Sequence, residues 1–189
     1  MKILLASQSP RRQDLLSSLG VDFEIVKIQV DENYPPTLSP KEVPAFLSEL
    51  KAKSYKNFLN PDELLITADT VVAAEHKILG KPKNEKQALE MLHLLSGKTH
   101  EVITAFSIST LKKTITQTDI TKVTFEEINP QEMLYYIQNF RPYDKAGAYG
   151  IQEWIGMAKI KSISGSFYTV MGLPTHLVFN SLKDFDVLK

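Results

Sequence analysis

Cysteine is absent from all 189 residues, which removes disulfides, thiolate zinc sites and cysteine nucleophiles at once. Net charge is absent too. The 22 Lys and Arg balance 22 Asp and Glu, whereas a dedicated nucleic-acid-binding chain ordinarily carries a basic excess. That balance argues against nucleic acid as a partner and still allows a local basic pocket. No run approaches the ~18 consecutive apolar residues of a membrane span. The apolar stretch at residues 3–6 is too short for a signal-peptide core. The expected location is therefore the cytoplasm, with no membrane partner. There is no phosphate-binding G-x-x-x-x-G-K-[ST] loop, no G-x-G-x-x-G and no G-x-S-x-G. The four histidines, His76, His93, His100 and His176, lack metal-type spacing and read as structural or exposed.

What is present suits a folded chain. A hydrophobic content of 43 % and a length sufficient for one large domain or two small lobes allow a core without cross-links. Strand-like and helix-like patterns alternate, which predicts a mixed α/β fold: a twisted mixed sheet flanked by helices. Residues 2–6 form a short apolar run, read as a buried first strand. Ser9 as N-cap and Pro10 at the first helical position then start a helix to about Leu19, stopped by Gly20. Residues 23–30 alternate like a strand. Three further helices open at Ser39-Pro40-Lys41-Glu42, Asn84-Glu85-Lys86-Gln87 and Asn129-Pro130-Gln131-Glu132, each an N-cap followed three residues on by Glu or Gln. The first is expected to bury Phe46, Leu47 and Leu50, with Tyr55 and Phe58 as further core positions. Strands are expected at 64–68, 71–74, 102–109, 114–126 and 155–163. The Lys112-Lys113 turn suggests an antiparallel pair, and a last helix covers 175–185.

Five constellations carry possible chemistry. In Ser7-Gln8-Ser9-Pro10-Arg11-Arg12 a strand runs into a helix whose first turn holds two arginines, against the usual preference for acids there. An external anion would resolve that conflict; a solvated surface pair is the plainer alternative. In Thr67-Ala68-Asp69-Thr70-Val71-Val72 an acid ends one apolar run and precedes another. Such a carboxylate can hold a divalent ion or act as a base, although Asp also favours turns and caps. Asp31-Glu32 could complete a hard-oxygen site with Asp69, or be ordinary surface acids. Lys51, Lys53 and the Gly80-Lys81-Pro82 segment supply positive charge; Lys81 is positioned by its neighbours, and Lys53 reads as solvated. Finally, the small residues of 144–152 allow close approach of backbone to a ligand, and Gln152 has the donor and acceptor needed to read a base edge. An ordinary glycine-containing loop is an equal alternative, and Trp154 could stack or be core.

Taken in order, these segments resemble the Maf family. The resemblance begins at Leu4-Leu5-Ala6-Ser7-Gln8-Ser9-Pro10-Arg11-Arg12 and continues through Val30-Asp31-Glu32, Lys51-Ala52, Thr67-Ala68-Asp69-Thr70-Val71-Val72 and Leu79-Gly80-Lys81-Pro82. It passes Leu94-Leu95-Ser96-Gly97 and closes with Lys145-Ala146-Gly147-Ala148-Tyr149-Gly150-Ile151-Gln152 and Gly172-Leu173-Pro174. Each motif is weak by itself; the ordered set is specific and spans nearly the whole chain.

The resemblance implies a nucleoside triphosphate pyrophosphatase that cleaves between the α- and β-phosphates, releasing a nucleoside monophosphate and pyrophosphate. It implies one Maf-like domain of two lobes around a central groove, similar to the inosine triphosphate pyrophosphatases. It also implies a homodimer and a divalent cation, Mg²⁺ or Mn²⁺. By motif match Asp69 falls at the family's proton acceptor. Arg12, Thr70 and Gln152 fall at the specificity positions of the subgroup that acts on dTTP and UTP. Ser7, Arg11, Arg12, Lys51 and Lys81 are then expected around the substrate, and Glu32 with Asp69 at the metal. The chain departs from the family at Ser164 and Thr169, where an acid and an asparagine are frequent. The alternative is a non-catalytic nucleotide- or nucleic-acid-binding regulator of cell division, since the family has been linked to septum inhibition. Carboxylates in the pocket weigh against a pure anion binder, because they repel phosphate.

Overall fold

The computed structural model describes residues 1–185 and 187. Chain order runs β1 (Lys2–Leu5), α1 (Pro10–Ser18), β2 (Glu24–Ile25), α2 (Val43–Tyr55), β3 (Glu63–Ala74), β4 (Lys77–Leu79), α3 (Glu85–Leu95), β5 (Thr99–Ser109) and β6 (Thr114–Phe125). It continues with α4 (Pro130–Phe140), α5 (Trp154–Lys159), β7 (Ile160–Ser164), α6 (Phe167–Met171) and α7 (Thr175–Lys183). Seven strands form one mixed sheet in the order β2-β1-β3-β5-β6-β7, with β4 paired to β3. β1 runs parallel to β2 and β3, while β4 is antiparallel to β3 and β7 to β6. The hydroxyl pairs Thr99–Thr124, Ser107–Thr116 and Ser109–Thr114 follow the register of an antiparallel β5–β6 hairpin. No helix among the described residues is long and apolar enough to cross a membrane.

The chain divides into two compact units. Unit 1 is Met1–Asp69, Thr104–Asp119 and Gly172–Lys189; unit 2 is Thr70–Ile103 and Ile120–Met171. In unit 1, Leu4, Ala6, Leu59 and Leu65 pack together under Val26, Ile28 and Tyr55. In unit 2, α3 turns Ala88, Leu92 and Leu95 inward and α4 turns Met133, Tyr136 and Ile137 inward, at the three- and four-residue spacing of a helical stripe.

The expected caps have different fates. Asn129 and Glu132 make a complete reciprocal capping box on α4. Asn84 accepts from the Gln87 N–H at the start of α3, and the Gln87 side chain accepts from the Lys83 N–H. At Ser39-Pro40-Lys41-Glu42 only half a box forms. Glu42 accepts from the Ser39 N–H and hydroxyl, and α2 begins later, at Val43. On α2, Leu47 is buried, Phe46 and Leu50 are half-buried and Phe58, beyond its end, is 70 % exposed, so Phe58 is not a core residue.

Three strand expectations need correction. Residues 23–30 contribute only the two-residue β2, because β1 ends at Leu5 and offers no further edge to pair with. Residues 155–159 are helical, in α5, and only 160–164 form a strand. Residues 64–68 and 71–74 are one continuous strand, β3, so Asp69 lies mid-strand rather than at a strand end.

Candidate active site

β3 sets the geometry around Asp69. Its register with β1 runs to Leu5↔Ile66, and Ala6 donates to the Ile66 carbonyl; its register with β4 begins at Val72. Neither β1 nor β4 pairs with residues 67–71, so backbone along that stretch takes other partners. The Ala68 carbonyl accepts from Arg12 Nη1 at 3.0 Å, and Arg12 Nε donates to the Gly172 carbonyl at 2.8 Å. Arg12, at the start of α1, thereby fixes the backbone next to Asp69. Burial pulls the Arg12 guanidinium below the ordinary arginine value. The charges of Asp69 and Glu32 oppose that shift and Arg11 adds to it, which places all three charges within electrostatic reach of Arg12.

Asp69 itself is almost buried. Its Oδ1 accepts from Lys51 Nζ at 2.7 Å, and the same ammonium lies 3.0 Å from Glu32 Oε1. Side-chain exposure is 13 % for Lys51, 12 % for Asp69 and 56 % for Glu32, so one carboxylate is held in the protein and the other approaches from solvent. Lys51 reaches this point from α2, whose Ser48 carbonyl accepts from the Thr67 hydroxyl of β3 and ties helix to strand. Asp31 takes no part: its carboxylate accepts from the N–H and side-chain amide of Asn33. Ser7 is buried after β1, its hydroxyl accepting from the Ser9 N–H and its carbonyl from Gln13 Nε2. Ser9 makes no side-chain cap on α1.

Unit 1 therefore gathers Arg12, Glu32, Lys51 and Asp69 into one charged cluster, with Ser7 and Arg11 at the entry to the same helix. Thr70, Lys81 and Gln152 belong to unit 2. Thr70 is half-buried on β3, and Lys81 is exposed after β4. Gln152 is exposed at the end of the small-residue segment 144–152. Lys53 is exposed and pairs with Glu49 at 3.6 Å along α2, as the surface reading expects. Ser164 ends β7 exposed to solvent, and Thr169 is buried in α6.

Three side chains of unit 2 to which the sequence assigns no role stand out: Lys145, Tyr136 and Glu153. Lys145 is buried, with its ammonium 2.7 Å from Asp144 Oδ1 and 3.0 Å from Glu153 Oε1. Tyr136 donates to Glu153 Oε2 and accepts from the Gly150 N–H at 2.9 Å. The available signal is a lysine placed between Asp144 and a segment of small residues that ends at Glu153, with a carboxylate at either end to pair with it.

Glu32 and Asp69 converge on a single point of positive charge, and both offer hard oxygen donors. Mg²⁺ and Mn²⁺ sites typically use one or two carboxylates and take the remaining oxygens from substrate phosphate and water. The donor set fits such an ion. No cluster of three or more His, Asp or Glu exists among the described residues to hold one unaided.

A family model described as Maf-like protein matches residues 2–185. The protein named dTTP/UTP pyrophosphatase in Phocaeicola vulgatus is 48 % identical over 183 residues, covering 96 % of this chain and 95 % of that one. The proteins of the same name in Porphyromonas gingivalis and Flavobacterium johnsoniae are 49 % and 48 % identical, covering 97 % and 96 % of this chain and 94 % and 93 % of their own. Among solved structures, a nucleoside-triphosphatase / dITP/XTP pyrophosphatase from Mycobacterium abscessus aligns at 16 % identity and a TM-score of 0.43 over 68 % of this chain and 76 % of that one. The Ham1 protein of Staphylococcus aureus aligns at 16 % and 0.45 over 66 % and 72 %. A family model that takes in nearly every residue, and relatives of near-half identity along nearly all of their length, place this chain in the Maf-like protein family.

Proposed function

We propose that this chain hydrolyses dTTP and UTP to the nucleoside monophosphate and pyrophosphate with the help of a divalent cation. The carrying observation is the convergence of Glu32 and Asp69 on Lys51, beside the Arg12 clamp. A triphosphate brings about four negative charges into its site, and their neutralisation dominates phosphoryl-transfer catalysis. By the Maf-family motif match, Arg11, Arg12, Lys51 and Lys81 are assigned to the phosphates, with Ser7 near the start of α1. Glu32 and Asp69 would hold the cation, which when bound would supply Lewis-acid neutralisation of phosphate oxygens and acidify water.

The reaction itself needs a base. Asp69 accepts the proton of the water whose oxygen bonds to the α-phosphorus, while the bond from that phosphorus to the bridging oxygen breaks and pyrophosphate departs. Lys51, donating to the same carboxylate, holds it in place for that role. Thr70 and Gln152 are assigned to nucleoside recognition. An amide can donate to a pyrimidine carbonyl and accept from the ring N3–H, a pattern that uracil and thymine share and cytosine lacks. The names of the three relatives support the same substrates. The reading extends to one Maf-like domain acting as a cytoplasmic homodimer.

A nucleotide panel tests the proposal. With Mg²⁺ or Mn²⁺ present, dTTP and UTP should yield monophosphate and pyrophosphate ahead of CTP and the purine triphosphates. EDTA should silence the reaction and added metal restore it. Full turnover after exhaustive chelation removes the metal, and orthophosphate as the sole inorganic product removes cleavage at the α-phosphorus.

A further inference from the structure

Gln152 lies on a segment whose backbone is held by an unusual set of contacts. Gly147 and Ala148 both have positive φ, 71° and 61°, and for Ala148 that conformation carries a steric cost. Strain of this kind persists only where surrounding contacts over-determine it. The Gly147 N–H donates to the Gly80 carbonyl, and the Ala148 N–H to the Lys145 carbonyl. On the far side, one carboxylate gathers the remaining restraints. Glu153, the residue after Gln152 and the N-cap position of α5, accepts from the Tyr136 hydroxyl through Oε2 and faces the Lys145 ammonium through Oε1 at 3.0 Å. The Tyr136 hydroxyl in turn accepts from the Gly150 N–H at 2.9 Å. These groups are closely packed: a Cβ on Gly150 would come within 2.8 Å of Glu153 Cδ and 3.0 Å of Lys145 Cε.

We propose that Glu153 is a positioning residue, whose carboxylate ties α4 through Tyr136 and the segment 145–150 through Lys145 to one point and thereby aims the adjacent Gln152. The inference rests on the reading of Gln152 as the base-recognition residue. Both oxygens of Glu153 are engaged within the protein, and its side chain is only 18 % exposed. That leaves it restraining structure rather than meeting ligand. Burial and the Glu153 hydrogen bond push Tyr136 far above the ordinary phenol value, so its hydroxyl stays protonated and can donate to Glu153 while accepting from Gly150. A stability role alone would affect folding. Aim, in contrast, affects how well substrates with different bases are held, because small displacements of a recognition group are amplified in binding and reactivity.

Two near-isosteric variants test this, E153Q and Y136F, singly and combined. Glu153→Gln keeps an acceptor for Tyr136 and loses the charge facing Lys145; Tyr136→Phe keeps the ring and loses both hydrogen bonds of the hydroxyl. With dTTP and UTP, each is expected to raise KM roughly tenfold with kcat within about twofold, and to narrow the preference over CTP. The double variant should fall well short of the product of the single effects, because both act on one restraint. Trp154, the sole tryptophan, follows Glu153 directly and packs edge-on against Tyr135 at 5.0 Å, so its emission and acrylamide quenching report the local backbone without substrate. Increased quenching in both variants is expected. Folded variants with wild-type KM, selectivity and quenching overturn the proposal, and so does a drop confined to kcat. A wild-type protein that cleaves no triphosphate overturns the reading of Gln152 instead, a result the wild-type arm delivers separately. Should E153Q fail to fold, Y136F alone decides by the same criteria.

Discussion

At position 69 the difference between Asp and Asn is one proton-accepting oxygen and one unit of charge beside Lys51. In Asp69→Asn the new amide would still offer an oxygen to the ammonium, and Glu32 would still neutralise it at 3.0 Å. The fold should therefore survive this substitution, while kcat falls by about 10²–10⁴, the usual contribution of a general base. Steady-state kinetics and a circular-dichroism melt check both halves; wild-type turnover in a folded variant would remove Asp69 from the chemistry. The residue types of this cluster are visible in the sequence, but their arrangement is not. Patterning marks Asp69 as an acid between apolar runs and puts it at a strand end. It is mid-strand, on a stretch paired by neither β1 nor β4. Hydrophobic patterning reports which way a residue faces and says nothing of where neighbouring strands stop. The pairing of Lys51 with both Glu32 and Asp69 joins α2, a loop and β3, and no local pattern encodes it. The sequence points Arg12 at an anion, and the structure also gives it backbone carbonyls at Ala68 and Gly172. Lys145 escapes a reading of the sequence because lysines are ordinarily solvated.

Helix caps give a graded test at the scale of single elements. Asn129 accepts from the Glu132 N–H and is answered by the Glu132 side chain; Asn84 accepts from the Gln87 N–H. Ser39 is different, because its hydroxyl donates to Glu42 and accepts no N–H of α2. Replacing Asn129 or Asn84 by Ala should each cost ~1 kcal/mol, and Ser39→Ala only a few tenths. Urea unfolding of the three variants checks the order, and an equal loss at Ser39 would mean that its turn caps α2 after all. The three patterns look alike in sequence because a cap-and-carboxylate spacing fixes the possible partners and leaves open which residue begins the helix. The helices α1, α3, α4 and α7 are legible from caps and stripes, as is the β5–β6 hairpin from its turn. Residues 155–159 are not. Ile155, Met157 and Ile160 scatter along a run that reads as a strand, yet only Ile155 is fully buried, and Gly156 sits so close to the Ile151 carbonyl that no Cβ would fit. Tertiary packing overrides the local pattern there.

For the molecule as a whole, the clearest pH dependence comes from one buried histidine in unit 2. His100 stacks on Phe125 with centroids 5.4 Å apart, meets Tyr149 edge-on, and brings its Nε2 within 2.7 Å of the Tyr149 hydroxyl. Its Nδ1 is buried without a hydrogen-bond partner. Burial pushes His100 down to about 4 from 6.5, so the folded protein keeps it neutral where the unfolded chain would protonate it. Between pH 6.5 and 4 the unfolded state therefore binds more protons, and stability declines as pH falls through that window. The loss should reach about 2 kcal/mol at pH 5 relative to pH 7, which for a chain of this size lowers the melting temperature by about 4–8 °C. The carboxylates held low by partners, Glu42, Glu63, Glu75 and Glu132, act in the same direction, but their contributions are lost only as pH falls below about 4.5. Melting curves at pH 7 and pH 5 thus isolate His100, and His100→Gln supplies the control. Glutamine can still hydrogen-bond Tyr149 and does not titrate, so the variant should be less stable than wild type at pH 7, because the ring stacking is gone. It should nevertheless lose little further stability at pH 5. A wild-type melting temperature that is flat between those values, or a variant that keeps the full decline, would mean that His100 takes up its proton in the folded state and that the cluster around Tyr149 is more open to solvent than its packing indicates.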